Sequence, residues 1–359
     1  MPQNNQTLPK LVVVIGARPQ FIKHYPFERA SIGKLEIKTI HTGQHYDKNM
    51  SDIFFEQLNM TKPDHILNIG SLNHGAQTGK MMIEIEGIIE KENPDGMVVY
   101  GDTNSTLAGA LVASKLHIPV FHIESGLRSY NKEMPEEINR ILTDNVSDLL
   151  FVPSPTAIEN LAREGISNGV YEVGDIMKDL VKLITENGVI TENNEPKDQK
   201  YYYVTLHRPY NTDIKERLLN ILDSLNNLDK KVIMSLHPRT KNISKKFKID
   251  LSSYNNILFI DPQSYFDNLN YLKNSNGLIT DSGGMQKEAY WLKKKCVTLR
   301  KETEWVETLE SNANKLIYEN LLDIQLELQK TPNAWKDNLY GNGNCGEKIV
   351  DFISDFLNN

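Results

Sequence analysis

The sequence predicts an α/β protein of two domains, each built on a parallel sheet. Three observations carry that expectation. Short apolar runs, too brief for helices, recur along the chain and alternate with helical patterns. At 359 residues the chain exceeds the length at which single hydrophobic cores usually stop growing. Many of the runs end in polar loops bearing Gly, His, Asp or Arg, as strands do where a parallel sheet binds a ligand at its C-terminal edge.

In the first half, residues 11–15 read as a buried strand running into the tight loop Gly16-Ala17-Arg18-Pro19-Gln20, with a helix from near Phe21. Residues 37–40 form the next strand, ending in His41-Thr42-Gly43-Gln44-His45, and residues 80–91 carry a helical apolar period. Runs at 97–100 and 119–123 enclose a small-residue helix over about 105–116, which makes a β-α-β unit with parallel strands. Asp102 lies just past the first of these strands and Glu124 at the end of the second, so both carboxylates open into one crevice. Pro135 then heads a helix that places Glu136, Glu137 and Arg140 in its first turns. Strands at 149–152 and 170–173 complete the first half.

The second half repeats the layout, with strands at 202–206, 231–236, 257–260, 277–280, 297–299 and 315–317. The polar stretch 187–200 reads as a surface excursion near the start of the second domain, with the boundary near 175–179. The assignment is 1–177 for the first domain, 178–344 for the second, and a terminal helix within 345–359 that packs back on the first.

Composition narrows the function. A net charge of −7 argues against non-specific nucleic-acid binding and gives no membrane-surface signal. Two cysteines make neither a disulfide framework nor a zinc site, no apolar run approaches a membrane span, and MPQNNQTLPK has no apolar leader core; a cytoplasmic protein is expected.

Three motifs point to chemistry. Asp281-Ser282-Gly283-Gly284 follows an apolar run and opens a helix pattern, where glycines let a phosphate approach the N-terminal N–H groups. A plain glycine turn with an aspartate cap explains Gly283 but not the whole run. Glu288, one turn on, is placed to accept from ribose hydroxyls. His207 with Arg208, and His237 with Arg239, follow two strands of the second domain and suit a diphosphate; Arg18 offers the same chemistry from the first domain. His41, His45 and Asp47 lack a second ligand cluster, and no metal is expected. Gly341-Asn342-Gly343-Asn344-Cys345-Gly346 fits the dinucleotide fingerprint formally but follows no strand, so neither it nor any Walker loop supports NAD or ATP.

These residues resemble the non-hydrolysing UDP-N-acetylglucosamine 2-epimerases almost end to end: GARPQFIK at Gly16, HTGQHYD at His41, YGDTNST at Tyr100, HIESGLR at His122, MPEEINR at Met134, TLHRPYNTD at Thr205, LHPRT at Leu236, TDSGGMQKEA at Thr280 and TEWVE at Thr303. The resemblance implies a glycosyltransferase-B-type fold, two Rossmann-like domains facing across a cleft, usually as a homodimer and with no cofactor. It implies Asp102, Glu124 and Glu136 as catalytic carboxylates and Arg18 and His207 as basic residues at the diphosphate. Ser282 and Glu288 become nucleotide ligands, with Gln44, Arg208, His237, Arg239, Gly283, Gly284, Arg300 and Glu304 completing the UDP-sugar wall. The implied reaction inverts C2 of a UDP-2-acetamido sugar by eliminating UDP and adding it back, for cell-surface polysaccharide precursors.

Two departures from the family pattern bear on substrate. Thr303-Glu304-Trp305-Val306-Glu307 stands where the common enzymes carry Thr-Glu-Arg-Pro-Glu, and is similar to the branch acting on UDP-2,3-diacetamido-2,3-dideoxyglucuronate. There Arg300 or Lys301 would meet a C6 carboxylate. A Gln-x-x-Gln loop that binds an activating second substrate in some members reads Gln44-His45-Tyr46-Asp47 here. Competing functions are a hydrolysing epimerase, a glycosyltransferase needing an acceptor, and a UDP-sugar sensor; the sensor would be expected to lose the carboxylates.

Overall fold

The computed structural model describes residues 8–44, 60–70, 72–190 and 201–358, leaving out the side chain of Arg18. The polar stretch 187–200 falls mostly outside these residues, as do His45 and Asp47.

The chain divides into two compact units, one of residues 1–182 with 338–359 and one of residues 183–337. The divisions therefore fall five residues after 177 and seven before 345. The first unit holds a seven-stranded sheet: β1 (Lys10–Ile15), β2 (Glu36–His41), β3 (His65–Ile66), β4 (Gly96–Tyr100), β5 (Val120–Ile123), β6 (Leu149–Val152) and β7 (Val170–Glu172). Their spatial order is β3-β2-β1-β4-β5-β6-β7, and every pairing is parallel.

Strand β1 shows why these runs are apolar on both sides. Leu11, Val13 and Ile15 face one cluster with Phe21, Phe27, Phe121, Ile349 and Ile353. Val12 and Val14 face the other, with Met81, Ile85, Val99 and Ala108. Alternate residues point to opposite faces and both faces are covered, so no polar alternation survives. The first cluster includes the terminal helix Cys345–Asn358, whose Phe356 meets Phe121 edge-on with ring centres 5.6 Å apart. Its Gly346 is required by contact: a Cβ there would lie 2.9 Å from the Pro26 carbonyl oxygen.

The second unit holds β8 (Tyr201–Thr205), β9 (Lys231–Ser235), β10 (Ile257–Ile260), β11 (Gly277–Thr280), β12 (Cys296–Thr298) and β13 (Asn314–Leu316). Its order is β10-β9-β8-β11-β12-β13, again all parallel. Counting strands along the chain, both sheets run outward from a central first strand and reverse there. In the first unit the reversal lies between β1 and β4, and in the second between β8 and β11. Within each unit, the loops after its two strands flank the crevice where such a sheet binds ligands.

Among the described residues no helix is long and apolar enough to cross a membrane, and no group of three or more His, Cys, Asp or Glu side chains is disposed to hold a metal ion. The formal G-x-G-x-x-G run is the loop before the terminal helix, with Gly341 and Gly343 at positive φ, and the first two residues of that helix, Cys345 and Gly346.

Candidate active site

In the first unit, the loop after β1 meets the loop after β4. Gly16 leads into the helix Arg18–Ser31, and a Cβ on it would fall 2.1 Å from Ser105 Oγ and 2.3 Å from Thr42 Oγ1, so only glycine fits. Gln20 clamps the two loops. Its Oε1 accepts from the Gly16 and Ala17 N–H groups at 2.8 and 3.1 Å, and its Nε2 donates to the Tyr100 carbonyl at 2.8 Å and to Thr106 Oγ1 at 2.9 Å. Gln44 accepts from Ser105 N and Oγ at 3.0 and 2.7 Å, tying the loop after β2 to the same corner. Thr103 caps the helix Asn104–Lys115 through a reciprocal bond with Thr106.

Asp102 sits between Gly101, whose φ is +60°, and that cap. Its Oδ2 accepts from Arg140 Nη2 at 2.5 Å, and its backbone carbonyl accepts from Asn139 Nδ2 at 2.9 Å. Arg140 also donates to Glu137 Oε2 at 2.8 Å. Glu137 is buried and accepts from the N–H groups of Ser129 and Tyr130 at 2.9 and 2.8 Å, so it builds the loop. Glu136, the neighbouring residue, is exposed at the head of the helix Pro135–Val146.

Glu124 follows β5 with φ of +66°, a left-handed backbone costing a non-glycine residue roughly 1–2 kcal/mol. Strain of this kind collects at functional sites. Its carboxylate is paired with Lys23 of the helix Arg18–Ser31, both side chains being nearly enclosed. Burial pushes the Asp102 carboxyl above its ordinary range. Arg140 and Lys23 pull it back, while the charges of Glu124 and Glu136 push it further up. Asp102 thus feels the charge of both other carboxylates named from the sequence, with Lys23 paired to Glu124 and Arg140 to Asp102. Sequence reasoning missed Lys23, which meets a partner 101 positions away.

In the second unit, the loop after β8 is hung on the loop after β11. Asp281 is fully buried and accepts from the N–H groups of His207 and Arg208 at 3.0 Å each and from Asn211 Nδ2 at 3.1 Å. Its Oδ1 lies 3.1 Å from His207 Nδ1. Burial alone would raise the Asp281 carboxyl, but the hydrogen bond and charge of His207 with the loop donors hold it below the ordinary aspartate value. Arg208 Nε is buried without a hydrogen-bond partner among the described residues.

Ser282 begins the helix Gly283–Trp291 and makes no side-chain capping bond, and around Gly284 the space is open. Glu288 is buried one turn on. The His237 ring lies 5.4 Å from that of His207. Arg239 is held by Asp213 through two nitrogens, a pairing the sequence gives no sign of.

The Arg300–Glu307 loop is more enclosed than its polarity suggests. Arg300 Nη2 pairs with Glu304 Oε2 at 2.9 Å, and Glu304 Oε1 would lie 2.5 Å from a Cβ on Gly283. Trp305 is 4% exposed, and Lys287 Nζ sits 3.5 Å from its ring centre. That residue therefore packs the second unit. Lys301, the other candidate for a C6 carboxylate, lies 4.8 Å from the ring centre of Tyr318.

Two parallel sheets of this order, one edged by a carboxylate–cation cluster and the other by a histidine and a glycine turn on a helix N-terminus, define an α/β enzyme of the two-Rossmann-domain class. The chain belongs to the UDP-N-acetylglucosamine 2-epimerase family, whose sequence model matches residues 28–354. A UDP-N-acetylglucosamine 2-epimerase homolog of Methanococcus maripaludis is 46% identical, over 96% of this chain and 99% of that protein. The UDP-2,3-diacetamido-2,3-dideoxy-D-glucuronate 2-epimerase of Pseudomonas aeruginosa is 44% identical with the same coverage. The crystal structure of Methanocaldococcus jannaschii UDP-GlcNAc 2-epimerase with UDP-GlcNAc and UDP has a TM-score of 0.86 at 45% identity, covering 96% of this chain and 99% of that one.

Proposed function

We propose that this chain is a non-hydrolysing 2-epimerase of a UDP-2-acetamido sugar. In this reading the first unit works on the sugar and the second holds UDP. The observation that carries it is the pair Asp102 and Glu124, on the turns after the adjacent strands β4 and β5, each with its own cation.

The C2–H of the sugar is not adjacent to a carbonyl and does not ionise unaided near neutral pH. Breaking the C1–O bond first develops positive charge on the ring and acidifies that hydrogen. UDP leaves with the C1–O electron pair, a carboxylate takes the C2 proton, and the C2–H electrons become the C1=C2 bond of a 2-acetamidoglucal. A second carboxyl group, protonated from solvent, then delivers its proton to the opposite face of C2 as UDP oxygen rejoins C1, and is left as the carboxylate. The sequence is redox-neutral, and each proton transfer is general acid/base work. Lys23 pairs with Glu124 and Arg140 with Asp102. On the UDP side, His207, Arg208, Arg18 and the amides of Ser282–Gly284 stabilise the departing diphosphate. Glu288 accepts from the ribose; Gln44, His237, Arg239, Arg300 and Glu304 complete the lining.

A second reading takes UDP-2,3-diacetamido-2,3-dideoxyglucuronate as substrate. Trp305 and Val306, in the place of the common Arg-Pro, and the Pseudomonas aeruginosa relative favour it. The buried Arg300–Glu304 pair is a cost: a C6 carboxylate reaching Arg300 must displace Glu304. We also infer a cytoplasmic homodimer supplying precursors of surface polysaccharides; Ile138 and Leu142, exposed one turn apart on the helix that carries Glu136, offer apolar surface to a second copy.

The test is a panel of both UDP sugars followed by anomeric NMR, with light scattering for the dimer. The C2 epimer with UDP still attached supports the proposal. UDP release equal to turnover makes the enzyme a hydrolysing one, and faster turnover of the uronate selects the second reading.

A further inference from the structure

Beneath the two carboxylate-bearing turns of the first unit lies a polar chain that the acid/base chemistry does not use. His122, in the middle of β5, is fully buried. Its Nδ1 lies 2.7 Å from Asp144 Oδ1 and its Nε2 lies 2.8 Å from the carbonyl oxygen of Gly101. Both neighbours are acceptors, so both ring nitrogens donate. The other oxygen of Asp144 accepts from the Gly126 N–H at 3.2 Å and pairs with Arg128 Nη1 at 2.7 Å. Arg128 in turn grips Glu164 through Nε and Nη2 at 2.7 and 2.6 Å. Arg128 thus faces both carboxylates, Asp144 and Glu164, with the His122 ring on the far side of Asp144. Burial would raise the Asp144 carboxyl, but the bond and charge of His122 and then Arg128 hold it low, so it stays ionised.

The ends of this chain fall at telling places. Gly101 immediately precedes Asp102, and Gly126 comes two residues after Glu124. The Gly101 N–H is also fixed by β5, donating to the Ile123 carbonyl at 3.0 Å. Both turns have left-handed backbones, Gly101 at +60°, Glu124 at +66° and Gly126 at +75°; glycine adopts these freely, and it is Glu124 that needs outside restraint to persist.

We propose that His122 and Asp144 are positioning residues that set the distance between Asp102 and Glu124, holding the two turns in register through one buried ion pair. This rests on the epimerase reading, in which one carboxylate hands the C2 chemistry to another across the sugar ring. A separation wrong by a fraction of an ångström would leave substrate bound and the second proton transfer slow.

Two substitutions separate the two ends of the imidazole. In His122→Asn the amide nitrogen occupies the place of Nδ1, keeping a donor for Asp144 and losing the one for Gly101. In His122→Gln it reaches the place of Nε2, with the opposite result. Misplacement of a reacting group costs on the order of 10²-fold, so H122N is expected to lose about that in kcat for UDP-GlcNAc epimerisation, with KM moved less than about threefold and H122Q recovering roughly tenfold. Amide hydrogen exchange over residues 101–103 should rise in H122N and stay closer to wild type in H122Q, at similar melting temperatures.

Wild-type kcat in both variants, or equal losses in both with equal exchange at 101–103, overturns the proposal. So does a loss confined to KM. If the wild-type enzyme turns over no UDP sugar, the epimerase reading fails, and the exchange comparison alone still decides whether His122 holds the Asp102 turn.

Discussion

Replacing Asp281 with alanine should loosen the His207 loop and weaken UDP binding together. The carboxylate is fully enclosed and is the acceptor for three donors besides the His207 ring. Asn211 keeps a second acceptor in the Leu299 carbonyl at 2.9 Å, and the His207 ring, a third exposed, can turn to water. The part-buried N–H groups of His207 and Arg208 lose the acceptor that holds them. A buried donor left without an acceptor costs roughly 1–3 kcal/mol, so the substitution should destabilise by about 2–5 kcal/mol. Urea unfolding reads this directly, and calorimetric titration with UDP should show affinity reduced at least about tenfold, or 1.4 kcal/mol. Asp281→Asn keeps one acceptor and should fall between.

The sign with pH follows from the direction of the shift. A carboxyl whose folded value is depressed contributes stability above its unfolded value and loses it as pH falls through the folded one. The gap between wild type and D281A should therefore narrow below about pH 4. Stability within about 0.5 kcal/mol of wild type at pH 7, with unchanged UDP affinity, would refute the idea that Asp281 holds the loop.

Burial pushes the Asp179 carboxyl up to about 6; the N–H groups of Gly346 and Cys345 pull it down, and Asp175 and Glu347 push it up. Its stabilising effect is present below the unfolded value and lost as pH rises through about 6. Asp179→Asn should thus be neutral in thermal melts at pH 3.5 and gain about 1–2 kcal/mol at pH 7.5; no gain at the higher pH would contradict this. Trp305→Ala should cost about 3–5 kcal/mol in unfolding experiments while leaving the preference between the two UDP sugars unchanged, and a switched preference would show the ring to face substrate. Asp102→Asn, Glu124→Gln and Glu136→Gln should each lower kcat by about 10²–10⁴-fold in steady-state assays, with UDP affinity kept.

The parts of this architecture legible in the sequence are those where burial on both faces leaves a continuous apolar run. Strands β1, β4 and β11 follow from such runs to within a residue. Strand β3 did not, because His65–Ile66 is two residues long and carries no period. The helix His74–Glu92 begins six residues before the expected 80, since its first turn, His-Gly-Ala-Gln, is polar, and its Gln77 is buried against Asn104. The carboxylates were readable as charges at strand ends. Their cations were not, because Lys23 and Arg140 find Glu124 and Asp102 only through the fold. Arg239 and Arg300 looked free for a ligand and are instead paired with Asp213 and Glu304. His122 read as one more strand residue, and only the placement of Asp144 and Gly101 around it gives it a role.

The central claim is that C2 is inverted by proton removal and return between carboxylates as UDP leaves and rejoins. Epimerisation run in D₂O and followed by proton NMR tests it most directly. An acid that exchanges with solvent must supply the returning proton, so each turnover should place deuterium at C2 of the product, with UDP remaining attached. Full retention of the original hydrogen at C2 would contradict the account and point to hydride transfer or a shielded single-base shuttle.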